Sequence, residues 1–267
     1  MKRIVVFVFL ASFVLSRPSA AGQSTTSQQP PDDPLVRVTL PSVTVTAQKE
    51  PEDPRRLPVS VTAVTSDTID RAGIRIVSEA AIFAPNVTFT EFTARKLSNP
   101  RFRGIGSSPG NPAVTTFIDG VPQLNSNSSS IELLDVDQIE FVRGPQSALF
   151  GRNTLGGLVN VTSRRPGVDK WTGQMSVPFG YFSAWDVRGH ASGPLIADTL
   201  SASGAFSYAE REGFTVNDVT GNDLDSRGAF SGKGQLLWKP ASQWEARLIV
   251  SGERVLAAEF PTEAQAR

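Results

Sequence analysis

Side chains able to do covalent chemistry are scarce in this chain. It has one histidine, His190, and no cysteine, so disulfides, thiolate nucleophiles and thiolate metal sites are excluded, and a histidine cluster for zinc cannot be built. A Ser-His-Asp relay would have to rest on His190, whose stretch reads as a strand with neighbours that suggest no relay. Two glycine patterns raise phosphate chemistry, and both fail. Gly151 and Gly156 bracket the four-residue gap of a phosphate-binding loop, but Gly157-Leu158 follows where a lysine and a serine or threonine are required. Gly104-x-Gly106 lacks the third glycine and the following helix of a dinucleotide fingerprint. No cofactor, no metal site and no enzyme activity are expected.

Charge placement matters more than reactivity here. The chain carries 26 basic and 26 acidic residues, so it has no electrostatic footprint for nucleic acid, and no nucleic-acid partner is expected. Arg103 and Arg143 each end an apolar strand pattern just before a glycine. Their charges should therefore point into crowded surroundings, where an unpaired guanidinium is costly. They need carboxylate partners, and Glu132 and Glu140 are the local alternatives.

The elements that must position these residues centre on residues 138–165. Gln138-Ile139-Glu140-Phe141-Val142-Arg143 reads as a strand, broken by the turn dipeptide Gly144-Pro145. One helical turn over residues 146–150, a break at Gly151-Arg152-Asn153, the Gly156-Gly157 pair and a second strand over residues 158–162 follow. The ordered run Ile139-Glu140-Phe141-Val142-Arg143-Gly144-Pro145, Ser147-Ala148-Leu149-Phe150-Gly151-Arg152-Asn153 and Gly156-Gly157-Leu158-Val159-Asn160-Val161 resembles the end of the plug domain in TonB-dependent outer-membrane receptors. Arg103-Gly104 and Phe117-Ile118-Asp119-Gly120-Val121-Pro122 resemble that plug's middle motifs.

From the start, Lys2-Arg3, an apolar run over residues 4–15 and Ser19-Ala20-Ala21 have the layout of a secretory signal peptide cleaved after Ala21. The run is well short of the roughly 20 apolar residues that a spanning helix needs. Residues 22–33 hold no apolar side chain apart from proline and cannot bury a core, which suggests a mobile tether. Val43, Thr44, Val45 and Thr46 then alternate β-branched with polar residues, as an unpaired strand would. Such a strand could add to another protein's sheet edge. The resemblance implies that residues 40–48 hold the TonB box, with TonB and its inner-membrane energising complex as partners. Expected domains are thus a signal peptide (1–21), a flexible segment with the box (22–50), the plug (51–167) and barrel strands (168–267).

Within the plug, a strand over residues 59–65, a helix capped by Ser66 or Asp67 and stopped at Gly73, and a second helix capped by Ser78 and closed by Pro85 mix with further short strands. That mixture indicates an α+β domain. Residues 102–106 read as one strand entering an irregular loop. By the resemblance, loops after the plug strands face outward, so Ser107, Ser108, Pro109, Gly110, Asn111, Gln123, Asn125 and Ser126 are candidate ligand contacts. Arg103 and Arg143 become the plug's half of a charge lock with carboxylates on barrel strands beyond residue 267.

From Trp171 the pattern is strict alternation in five successive strands, separated by turns such as residues 193–198 and 239–242. A soluble sandwich would alternate too. Aromatic residues near strand ends and charges on the polar face fit interface girdles and a wet lumen, with His190 on the lumen side. Plugged barrels close at about 22 strands of roughly ten residues each, so these are antiparallel strands of an incomplete transmembrane β-barrel. The expectation is the N-terminal part of a receptor in the Gram-negative outer membrane, in contact with its lipid, that takes up an extracellular solute such as a ferric siderophore. The alternative is a secreted, soluble plug-like binding module.

Overall fold

A computed structural model describes residues 44–46, 53, 58–91, 98–106, 112–123, 131–213, 215–216, 223–224, 226–241 and 243–257. The signal peptide, the tether and Val43 of the sequence reading lie outside the described residues.

Strand β1 (Ser60–Thr65) leads directly into helix α1 (Ser66–Ala72). Ser66 and Asp67 lie inside the helix and not at its cap. Thr65 takes the cap position without a side-chain bond to a helix N–H, its hydroxyl lying 3.3 Å from that of Thr68, and Gly73 ends the helix in the left-handed conformation that glycine tolerates best (φ 65°). Helix α2 (Val77–Ala80) continues as a 3₁₀ turn over Ala81–Phe83. Ser78 is again internal, and Glu79 instead accepts the Arg75 N–H at 2.7 Å.

Strands β2 (Val87–Glu91), β3 (Ser98–Phe102) and β4 (Ile105–Gly106) form a small sheet. The single strand read over residues 102–106 is in fact two. Arg103 and Gly104 both take positive φ (51° and 82°), which reverses the chain in a two-residue turn.

The main sheet holds β5 (Val114–Ile118), β6 (Val121–Gln123), β7 (Val136–Arg143) and, after the single-turn helix α3 (Ser147–Phe150), β8 (Gly157–Ser163). Its order is β1-β7-β8-β5-β6, with β5 parallel to β8 and the other pairs antiparallel. Both faces of β7 and β8 are covered, so residues 139–143 and 157–161 are buried in succession, the polar Glu140, Arg143 and Asn160 among them. One face packs Ile139, Phe141, Val159 and Val161 against Ile69, Val77, Ala80 and Phe102. The other holds Phe117, Val142 and Leu158 around Val45.

A second sheet follows. It comprises β9 (Thr172–Ser176), β10 (Phe179–Gly180), β11 (Ala184–Ile196) and β12 (Leu200–Arg211), then the short hairpin β13 (Thr215–Val216) and β14 (Asp223–Leu224), then β15 (Arg227–Ala241) and β16 (Trp244–Ala257). The hairpin stands apart; the other strands pair antiparallel in the order β10-β11-β12-β15-β16, with β9 also on β11. The turn expected over residues 193–198 is tighter than read. β11 runs on through Gly193-Pro194 with a register shift before Ile196, and Asp198 takes φ 58° in the remaining turn. β15 likewise extends to Ala241.

This sheet is inverted relative to a water-soluble one. Ser201, Ser203, Ser207, Ser231 and Gln235 are buried, and the register sets Ser203 opposite Gln235 and Ser207 opposite Ser231. Trp185, Phe206, Phe230, Trp238, Leu248 and Val250 are exposed on the opposite face. The hydroxyl and amide side chains face the N-terminal domain, with Leu237 buried among them, and the rings of Trp185, Phe206, Phe230 and Trp238 face out.

Candidate functional site

The polar face of the second sheet meets the N-terminal domain along a seam of charges and hydrogen bonds. Arg188 on β11 pairs with Glu132 and, at 3.1 Å, with Asp186 of its own strand, while Asp186 also pairs with Arg75. Ser207 donates to Glu132 at 3.4 Å. Two guanidinium groups therefore alternate with two carboxylates across the seam, which leaves the cluster neutral. Burial and the neighbouring Arg188 push the Arg75 pKa below its ordinary value, opposed by Glu79 and Glu132.

A second knot forms at the β5–β6 turn. Asp119, held at φ 48°, accepts the Ser163 N–H at 2.9 Å, the Ser163 hydroxyl, and Arg247 Nη2 of β16 at 2.7 Å. Lys233 of β15 donates to Ser163 Oγ and to the Leu134 carbonyl at 2.9 Å. Ser203 and Gln235 donate to Asp135 Oδ2 at 3.0 and 3.1 Å. A cavity of about 440 Å³ interrupts the seam, lined in part by Asp119, Glu132, Leu134, Lys233 and Ile249. Contacts of this kind can be exchanged for water, whereas an apolar interface would resist hydration.

Residues 44–46 do not form the unpaired strand read from the sequence. Val45 is fully buried among Phe117, Val142 and Leu158. The Thr46 N–H donates to Glu140 Oε1 at 2.7 Å, and Gln138 Nε2 donates to the Thr44 carbonyl at 2.9 Å. Period-two alternation misled here because the segment is covered by residues 94 positions away.

The two arginines differ. Arg143 is buried, donating to the Pro85 carbonyl at 2.7 Å and Thr62 Oγ1 at 2.8 Å, with Nε unbonded. Burial, then the charge of Arg103, lowers its pKa. Arg103 is exposed at its turn, so the expectation of crowding fails for it. Neither local acid is a partner: Glu132 serves Arg188, and Glu140 accepts from neutral groups. Among the described residues no ion pair to Arg143 is formed.

Of the candidate ligand contacts, Gln123 lies at the end of β6, with Nε2 donating to the Val121 carbonyl at 3.3 Å. Ser107, Ser108, Pro109, Gly110, Asn111, Asn125 and Ser126 lie outside the described residues. His190 lines a small cavity with Gln174, Arg188 and Phe206, and among the described residues no group of acids or histidines is arranged to hold a metal ion.

The TonB-dependent Receptor Plug Domain family matches residues 53–158. This chain carries the plug of a TonB-dependent receptor. The chain is 29% identical over 212 residues to the pesticin receptor of Yersinia enterocolitica, covering 75% of this chain and 30% of that protein. It is 30% identical over 190 residues to the ferrioxamine receptor of the same organism, covering 68% and 24%. Among solved structures, the ferric yersiniabactin uptake receptor of Yersinia pestis superposes with a TM-score of 0.68 at 29% identity, covering 73% of this chain and 31% of that one. The pyoverdine receptor of Pseudomonas aeruginosa shares the fold, with a TM-score of 0.65 at 19% identity. The chain thus spans about a quarter to a third of the length of these relatives, and those named above are receptors.

The fold class expected from the sequence, an α+β plug followed by antiparallel barrel strands, is the one observed. Sequence reasoning missed the seam partners of the plug, Glu132 with Arg188 and Asp119 with Arg247. Both pairs join residues more than 50 positions apart, and no local signal links them. Glu140 had a usable signal: a carboxylate in the middle of an apolar strand must find donors.

Proposed function

We propose that the intact protein is an outer-membrane receptor of a Gram-negative cell that binds a scarce extracellular solute and imports it when TonB engages Val43, Thr44, Val45 and Thr46. The observation that carries this reading is the inverted strand sheet. Its buried face is polar and turned to the plug, and its exposed face is apolar and aromatic, as a barrel wall between a wet lumen and lipid requires. The seam then acts as the part that must loosen. It consists of ion pairs and hydrogen bonds that water can replace, so force applied to the plug from the periplasm can open a path without exposing a dry core.

A ferric siderophore is the solute class we favour, because relatives are named for ferrioxamine and for ferric yersiniabactin. In this reading residues 1–21 direct export, residues 22–50 present the TonB-binding segment, residues 51–167 form the plug and residues 168–267 begin the wall. Ser107, Ser108, Pro109, Gly110, Asn111, Gln123, Asn125 and Ser126 contact the ligand. Arg103 and Arg143 form the plug's half of the charge lock. The inner-membrane complex supplies energy through TonB, and no bond in the solute is made or broken. Deleting residues 43–45 from the full-length protein should abolish uptake while leaving ligand binding at the cell surface. Uptake at the undiminished rate would refute the reading.

A further inference from the structure

The docked position of residues 44–46 puts a constraint on any partner that binds them as a strand. Strand addition needs free backbone N–H and C=O groups. In this structure the Thr46 N–H is taken by Glu140 Oε1 at 2.7 Å, and the Thr44 carbonyl is taken by Gln138 Nε2 at 2.9 Å. Two side chains of β7 therefore occupy backbone groups that a partner strand would use. Gln138 Nε2 also bonds Glu140 Oε1 at 2.6 Å, which ties the two into one clamp.

Glu140 is fully buried. Its carboxylate accepts from the Thr46 N–H, the Thr46 hydroxyl at 3.1 Å, Gln138 Nε2 and Asn160 Nδ2 at 3.3 Å. Half of these donor groups come from Thr46 itself. If the segment leaves, a buried charge loses its backbone donor, which is the kind of loss that makes undocking unfavourable. Val45 adds a fixed depth to the docked state by filling the space among Phe117, Val142 and Leu158.

We propose that Glu140 is a positioning residue that latches residues 44–46 onto the plug and so sets the fraction of molecules whose strand is free for TonB. This rests on reading residues 43–46 as the TonB-binding segment. Loss of one hydrogen bond to a charged acceptor should shift the docked–free equilibrium by about tenfold or more, and the apparent affinity for a partner of the free form follows that population.

The test uses the full-length protein extracted from outer membranes in detergent. Residues 1–267 hold no cysteine, so Thr44→Cys, in a full-length protein with any later cysteine replaced by serine, provides a unique site for a nitroxide label on the segment. The label should be immobilised with Glu140 present, partly mobile in Glu140→Gln and predominantly mobile in Glu140→Ala. Binding of the purified periplasmic domain of TonB to an unlabelled Glu140→Ala protein should tighten by about tenfold. Thr46→Pro, which removes the N–H donor while leaving β7 intact, should free the label as well and serves if Glu140→Ala fails to fold. A label that is mobile in the parent, or immobile in folded Glu140→Ala or Thr46→Pro, overturns the latch. A freed label with unchanged affinity for TonB upholds the latch and overturns the TonB reading of the segment.

Discussion

Replacing Arg188 by alanine should detach one edge of the plug from the wall. Arg188 sits between two acids whose side chains are only 4% and 8% exposed, Glu132 on the plug and Asp186 on β11, and is itself 20% exposed. Its removal leaves a cluster of net charge −1 and takes from Glu132 its Arg188 partner. Breaking a buried pair from one side costs about 3–5 kcal/mol, because the remaining charge stays desolvated. Arg75 pairs with Asp186 from the plug side, but its side chain is 38% exposed. Solvent screens that contact, and Arg75→Ala should cost only about 1 kcal/mol or less. Residues 75–77 and 131–133 report the change directly, since the Val77 N–H donates to the Ile131 carbonyl at 3.3 Å and the Leu133 N–H to the Arg75 carbonyl at 2.7 Å. Hydrogen exchange on the full-length protein in detergent should show protection at Val77 and Leu133 falling by about a hundredfold or more in Arg188→Ala, and by less than tenfold in Arg75→Ala. Equal effects of the two substitutions, or unchanged protection in Arg188→Ala, would refute the argument from burial.

Two further substitutions probe the plug itself. Gly157→Ala should destabilise it by on the order of 4 kcal/mol: φ is +143°, and a Cβ would lie 2.2 Å from the Val142 carbonyl oxygen and 2.6 Å from the Phe102 ring. A midpoint shift in chemical denaturation followed on the plug checks this. Asp119→Ala removes the acceptor shared by Ser163 and Arg247 and also a residue suited to φ 48°. It should cost about 2–4 kcal/mol, while Asp119→Asn, which tolerates the same backbone, should retain part of that stability in the same assay.

How much of this was legible in the sequence depended on the range of the contact. Strands β7, β8, β12, β15 and β16 were readable because their periodicity is set by what lies on each face. Which face is buried was not readable from alternation alone, since Ser201-Ala202-Ser203 alternates equally well in a soluble sandwich. Only the buried serines and the exposed Phe206 and Trp238 decide it. Arg103-Gly104 reads as a strand end in the sequence, whereas positive φ at both residues makes it the turn itself. Val45 was misplaced because its alternating neighbours say nothing about Phe117, Val142 and Leu158, which are distant in sequence and cover it. The seam was invisible for the same reason: Asp119 and Arg247 are 128 residues apart.

The central claim is that this plug and wall belong to a transporter driven from the periplasmic side. Its most direct test is accumulation of a labelled ferric siderophore, identified by surface binding, in cells that carry the full-length protein, with and without TonB. The account predicts equal surface binding in both and accumulation only where TonB is present. Equal accumulation in the absence of TonB would contradict it.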